Sequence, residues 1–84
     1  MIFSINTIIM QIIVKTLTHK IIDLDVESSD RIGDIKLKIQ NQQGIPTWQQ
    51  ILMFEEEKLI DDRTIYHYNI LDQSVLCLVL KLRG

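Results

Sequence analysis

One segment fixes what this chain can become: residues 29–46, SDRIGDIKLKIQNQQGIP, which alone read as a full helix with both ends marked. Ser29 or Asp30 can cap the first turn, Asp34 sits near the positive end of the helix dipole, and Ile32, Ile35 and Ile39 recur at helical spacing on one face. Gly44 suits the left-handed residue that closes a helix, and Pro46 has no N–H with which to continue one. The rest of the chain reads as strand, so the isoleucine stripe has to be buried against a sheet. The expected fold is therefore α+β, with one helix lying across one face of a small sheet.

A chain of 84 residues supplies one domain with one core and modest stability, because so small a body keeps much of its surface in water. A hydrophobic fraction of 46% and a charged fraction of 24% belong to a folded globular chain rather than a disordered one. The net charge of -2, with lysines and arginines scattered rather than striped, offers no positive field for nucleic acid. Cys77 is the single cysteine, which excludes an intrachain disulfide and fits a reducing compartment such as cytoplasm or nucleus. Residues 1–9, MIFSINTII, lack the basic start, long apolar run and cleavage site of a signal peptide. They are also shorter than the roughly 20 apolar residues that cross a bilayer. We expect no membrane partner, an extension over residues 1–9 with Met10 as an alternative start, and a domain over residues 10–84.

Within the domain, residues 11–17, QIIVKTL, alternate so that Met10, Ile12 and Val14 share one face and Gln11, Ile13 and Lys15 the other. A turn at Thr18, His19 and Lys20 leads to Ile22, Leu24 and Val26, alternating with Asp23, Asp25 and Glu27, so the pair reads as a hairpin with one core face. After the helix, residues 49–54 (QQILMF) read as a strand, followed by an acidic turn at Glu55, Glu56 and Glu57 and a bend at Asp61 and Asp62. Residues 65–70 read as irregular or as a single helical turn, the short 3-10 turn of the expected fold, with Ile65, Tyr68 and Ile70 inward, and residues 74–82, SVLCLVLKL, as the last strand. The expected order is β-β-α-β-β.

That last strand is apolar on both faces, as for a strand covered on both sides, yet one helix covers only one face. Leu76, Leu78 and Leu80 point one way and Val75, Cys77 and Val79 the other. If the first set meets the helix, the second meets water, and Ile13 and Met53 look equally surplus beside Ile12 and Leu52. Two readings stand: aliphatic side chains scattered singly, which is ordinary, or a contiguous patch, which marks a partner surface.

Together these segments resemble the ubiquitin family: MQIIVKTLTHK from Met10, the SDRI…KLKIQ…GIP block, Gln49 and Gln50, DDRT from Asp61, YNI from Tyr68, and SVLCLVLKLRG at the end. The likeness runs without a gap from Met10 to Gly84. It implies the β-grasp fold and the role of a monomeric protein tag, handled by ubiquitin-activating, conjugating and ligase enzymes and read by ubiquitin-binding domains. The resemblance carries the family's aliphatic docking patch onto Leu17, Met53 and Val79, with Cys77 at a histidine position, and a second patch onto Ile45, Leu80 and Leu82. Met53 stands for isoleucine, a polarizable swap of similar volume that preserves apolar docking. Ile13 replaces a surface phenylalanine, so a third patch is only partly kept. The conjugation tail falls on Lys81, Leu82, Arg83 and Gly84, where glycine leaves no Cβ to obstruct close approach.

Departures from the family bear on each of these roles. Conjugating members end in two glycines and this sequence in one, a difference of about 3.3 to 3.6 Å in reach. Lys81 replaces an arginine that the activating enzyme reads, and lysine lacks its planar, two-pronged contact. Ile51 replaces another arginine, and Glu55 and Glu57 replace alanine and lysine, so the rim of the patch turns acidic. Lys15, Lys20, Lys36 and Lys38 match family lysines that accept further tags, whereas Glu57, Asp72 and Gln42 stand where others would be and carry no nucleophilic amine. His19 and Glu56 occupy glycine positions, at about 1 to 2 kcal/mol each if the backbone there is left-handed. Trp48 reads either as a partial core plug or as an exposed apolar addition.

A catalytic reading would rest on Cys77 with His19 or His67, but a cysteine on an apolar strand is most often a small hydrophobe, and no base, charge or helix terminus stands beside it to activate it. The same three residues make no zinc motif, and the expectation is no enzyme, no metal and no cofactor. The family likeness favours a covalent modifier. The single terminal glycine and the lost lysines favour a non-conjugated binding module or a diverged ubiquitin copy.

Overall fold

The structure, a computed structural model, describes residues 9–82. Strands β1 (Ile9–Thr16) and β2 (Ile21–Glu27) form the hairpin, α1 spans Ile32–Gln43, and a 3-10 turn covers Thr47–Gln49. Strands β3 (Gln50–Phe54), β4 (Glu57–Lys58) and β5 (Val75–Leu80) follow. The sheet runs β2-β1-β5-β3-β4, with β1 and β5 parallel at its centre and the other pairs antiparallel. This is the β-grasp arrangement, a mixed sheet holding one helix.

Register explains the core. Met10, Ile12 and Val14 lie opposite Val26, Leu24 and Ile22, all six buried, so the hairpin presents one continuous apolar face. Ile32, Ile35 and Ile39 are fully enclosed between that face and Leu52, Leu76 and Leu78. Burying each of these aliphatic side chains is worth about 1.5 to 3 kcal/mol relative to leaving it in water. Gln50 is a buried polar side chain whose Nε2 donates to the carbonyls of Lys36 at 3.0 Å and Ile45 at 2.9 Å, tying β3 to the helix and its exit. Buried Lys36 pairs with Asp61 at 2.7 Å and fastens the helix to the loop after β4.

Several boundaries differ from the sequence expectation. The helix is capped at Arg31 rather than Ser29 or Asp30: the Asp30 carboxylate turns back to accept the Glu27 N–H, and the Arg31 N–H donates to Asp34 instead. Gly44 closes the other end at φ 76°, its N–H bonded to the Gln40 carbonyl, as expected. The 3-10 turn lies at Thr47–Gln49, taking Gln49 out of the strand, whereas residues 65–70 form successive turns with Ile65 and Ile70 buried. Tyr68 packs against the core and accepts the Ile60 N–H on its hydroxyl. The two-residue β4 was hidden in what reads as an acidic turn, and the last strand stops short of Ser74, Lys81 and Leu82. Ile9 opens β1 opposite Glu27 rather than lying outside the domain, while the rest of the expected extension, residues 1–8, lies outside the described residues.

Candidate partner-binding surface

The outward face is built by three neighbouring strands. On β5, Val75 is 50% exposed, Cys77 is exposed and Val79 half-buried, while Leu76 and Leu78 between them are buried. Cys77 lies between Lys15 of β1 and Met53 of β3, and Val79 lies opposite Ile51. Met53 and Ile51 are half-buried. Leu17 follows β1 by one residue, in the turn beside the end of β5, and is 69% exposed. Met53, Cys77 and Val79 thus stand side by side on one face of the sheet with Leu17 at its margin, the arrangement that a contiguous patch requires.

Sequence pattern put Leu80 inward, but it is 42% exposed. The helix ends at Gln43, short of the last residues of β5, so the inner sheet face is uncovered there. The uncovered end is an apolar groove of about 490 Å³ lined by Leu17, Ile45, Leu78, Leu80 and Leu82. The second candidate patch is therefore a groove at the mouth of the core, and Leu17 joins it to the first. Ile13 is half-buried beside Val75 on the parallel strand.

The remaining candidates divide. Lys15 and Lys20 are exposed and Lys38 is half-buried, but the Lys36 side chain is 11% exposed and held by Asp61, so it does not stand ready as an acceptor amine. Lys81 and Leu82 are exposed, and the Lys81 N–H donates to the Gln49 carbonyl; Arg83 and Gly84 lie outside the described residues. His19 and Glu56 are left-handed at φ 68° each, as the glycine positions implied, and Glu55 joins them at 52°. Glu55, Glu56 and Glu57 are all exposed beside the patch. None of the described hydrogen bonds joins Cys77 to His19 or His67, and His67 instead stacks edge-on with Tyr68 at 4.9 Å. Among the described residues no group of three or more His, Cys, Asp or Glu side chains is placed to hold a metal ion.

Trp48 settles as an exposed addition at 53% exposure. Sequence reasoning overlooked its neighbour Ile60, 55% exposed after β4, because a lone isoleucine beside an acidic bend carries no periodic signal.

Residues 12–83 match the family described as "Ubiquitin family". The chain is 48% identical over 75 residues to the NEDD8-like protein RUB3 of Arabidopsis thaliana, covering 89% of this chain and 96% of that protein. It is 45% identical to the ubiquitin-like protein NEDD8 of Dictyostelium discoideum over 89% of this chain and 97% of that protein. It is 43% identical to ubiquitin-like protein 1 of Schizosaccharomyces pombe over 89% and 96%. With this match spanning nearly the whole described fold, the chain belongs to the ubiquitin family.

Proposed function

We propose that this chain is a ubiquitin-like protein modifier of the NEDD8-like kind, recognised through its aliphatic face and attached through its C-terminus by activating, conjugating and ligase enzymes in the cytoplasm and nucleus. The observation that carries the reading is the continuity of Met53, Cys77 and Val79 across β3 and β5, with Leu17 beside them. A small domain that leaves such a face in water has a partner to cover it. The groove of Ile45, Leu80 and Leu82 serves as a second docking point close to the tail. The chemistry belongs to the enzymes: the tail carboxylate is adenylated with ATP, passed to cysteine as a thioester, and joined to a lysine amine. Once attached, the modifier accepts a further tag at Lys15, Lys20 or Lys38 more readily than at Lys36, whose amine must first leave Asp61.

The test is incubation of the purified chain with ubiquitin-family activating enzymes, magnesium and ATP, beside a version carrying one further C-terminal glycine. A thiol-sensitive enzyme adduct on a non-reducing gel supports the modifier. Its absence with both versions, across activating enzymes, favours a non-conjugated binding module.

A further inference from the structure

Away from the two family patches, a second concavity of about 440 Å³ opens where the 3-10 turn, the start of β3 and the chain after β4 meet. Trp48 and Ile60, each more than half exposed, line it together with Ile51. A large indole and an isoleucine held open to water beside half-buried Ile51 lose burial that even a small partner residue would restore. Three lysines, Lys36, Lys58 and Lys81, share the lining with one acid, Asp61. Asp61 is committed to Lys36, whereas Lys58 and Lys81 are exposed and form no ion pair among the described residues. The groove is thus positive in a chain whose net charge is -2. The acidic Glu55, Glu56 and Glu57 lie at the opposite end of β3, in and after the turn that follows Phe54.

From this pairing of apolar floor and cationic edge we propose that the Trp48–Ile60 groove docks a short acidic peptide segment of a partner protein. One aliphatic or aromatic residue of that segment packs on Trp48, Ile51 and Ile60, and flanking carboxylates face Lys58 and Lys81. The indole gives contact area at low entropic cost, and the lysines give charge selection and a salt-dependent on-rate. A basic segment meets like charge on both edges, which excludes it. The docking draws on Lys81, the first residue of the tail, but needs no conjugation through the C-terminus.

Trp48 is the sole tryptophan, so its emission reports directly on the groove. The probe is a capped peptide Glu-Asp-Leu-Phe-Asp-Glu, titrated into the full chain while Trp48 emission is followed, with amide shifts of a 15N-labelled sample recorded in parallel. We expect a saturable blue shift, amide changes at Trp48, Ile51, Lys58 and Ile60, and weakening by added salt. Charge reversal in K58E/K81E is expected to lower the affinity about tenfold while leaving the amide spectrum of the core unchanged. The same peptide with lysine at every acidic position is expected not to bind. The proposal is overturned by no spectral change at millimolar peptide, by an affinity that K58E/K81E leaves unchanged, or by amide shifts confined to Leu17, Met53 and Val79.

Discussion

Leu76 and Leu78 are 0% and 1% exposed, while their neighbours on the same strand, Val75 and Cys77, are left in water. Backbone, residue type and hydrogen bonding hardly differ between the two faces of β5; only the inner one is covered by α1. Side chains of equal hydrophobicity therefore do different work. Those under the helix hold the fold, and those away from it are, in the proposed function, the ones that meet another molecule. Leu80 shows that coverage rather than strand parity decides, because it shares the inner parity and is exposed where the helix has ended.

Substitutions on the two faces should separate these roles. The largest effect is expected at Leu78→Ala, where a full cavity beneath the helix costs about 3 kcal/mol in urea or thermal unfolding. Val79→Ala, one residue on, is expected to cost less than about 1 kcal/mol in the same assay but to weaken a ubiquitin-binding domain strongly in titration calorimetry. Equal stability losses at the two positions would erase the distinction.

Gln50→Ala removes the amide that bonds the Lys36 and Ile45 carbonyls, and about 2 kcal/mol of stability should go with it, read from the shift in denaturation midpoint. A loss as small as that at Val79 would mean that those carbonyls find water instead. Glu56→Gly and His19→Gly act in the other direction. Each relieves a left-handed side chain but loosens the unfolded chain, for a net gain of about 0.5 to 1 kcal/mol, visible as a raised Tm. His19 should give the smaller gain, since histidine tolerates that region better than glutamate.

The smallest effect on stability, and the sharpest on the outer face, is expected from Ile51→Arg with Glu57→Lys. Glu57 is exposed and Ile51 lies on the outer face of β3, so the fold should change little, yet restoring a basic rim should recover partners that grip ubiquitin with acidic groups. No gain in their titration would show that the rim does not select partners.

Much of this division is legible in the residues themselves. The isoleucine stripe, Gly44 and Pro46 mark the helix and its end, and strict alternation marks the hairpin, because each is a local rule of period or backbone geometry. The helix start is less legible because Asp30 has two uses for one carboxylate, and the Glu27 N–H takes it. The parallel pairing of β1 with β5 is a long-range contact that no local pattern encodes. Of the surface, period two separates Val79 from Leu78, but joining Leu17 and Met53 to Val79 needs the strand order. Lys36 looks like any surface lysine in a helix until the Asp61 loop folds over it. Trp48 and Ile60 are ordinary apolar letters until the chain brings them together.

The most direct test of the central claim, that the uncovered face of the sheet is the recognition surface, is a titration of the 15N-labelled chain with a ubiquitin-binding domain that docks through apolar contacts. Amide perturbations concentrated at Leu17, Met53, Cys77 and Val79, and lost in Val79→Ala, are the predicted result. Saturable binding whose perturbations fall on α1 and leave β3 and β5 untouched would contradict it.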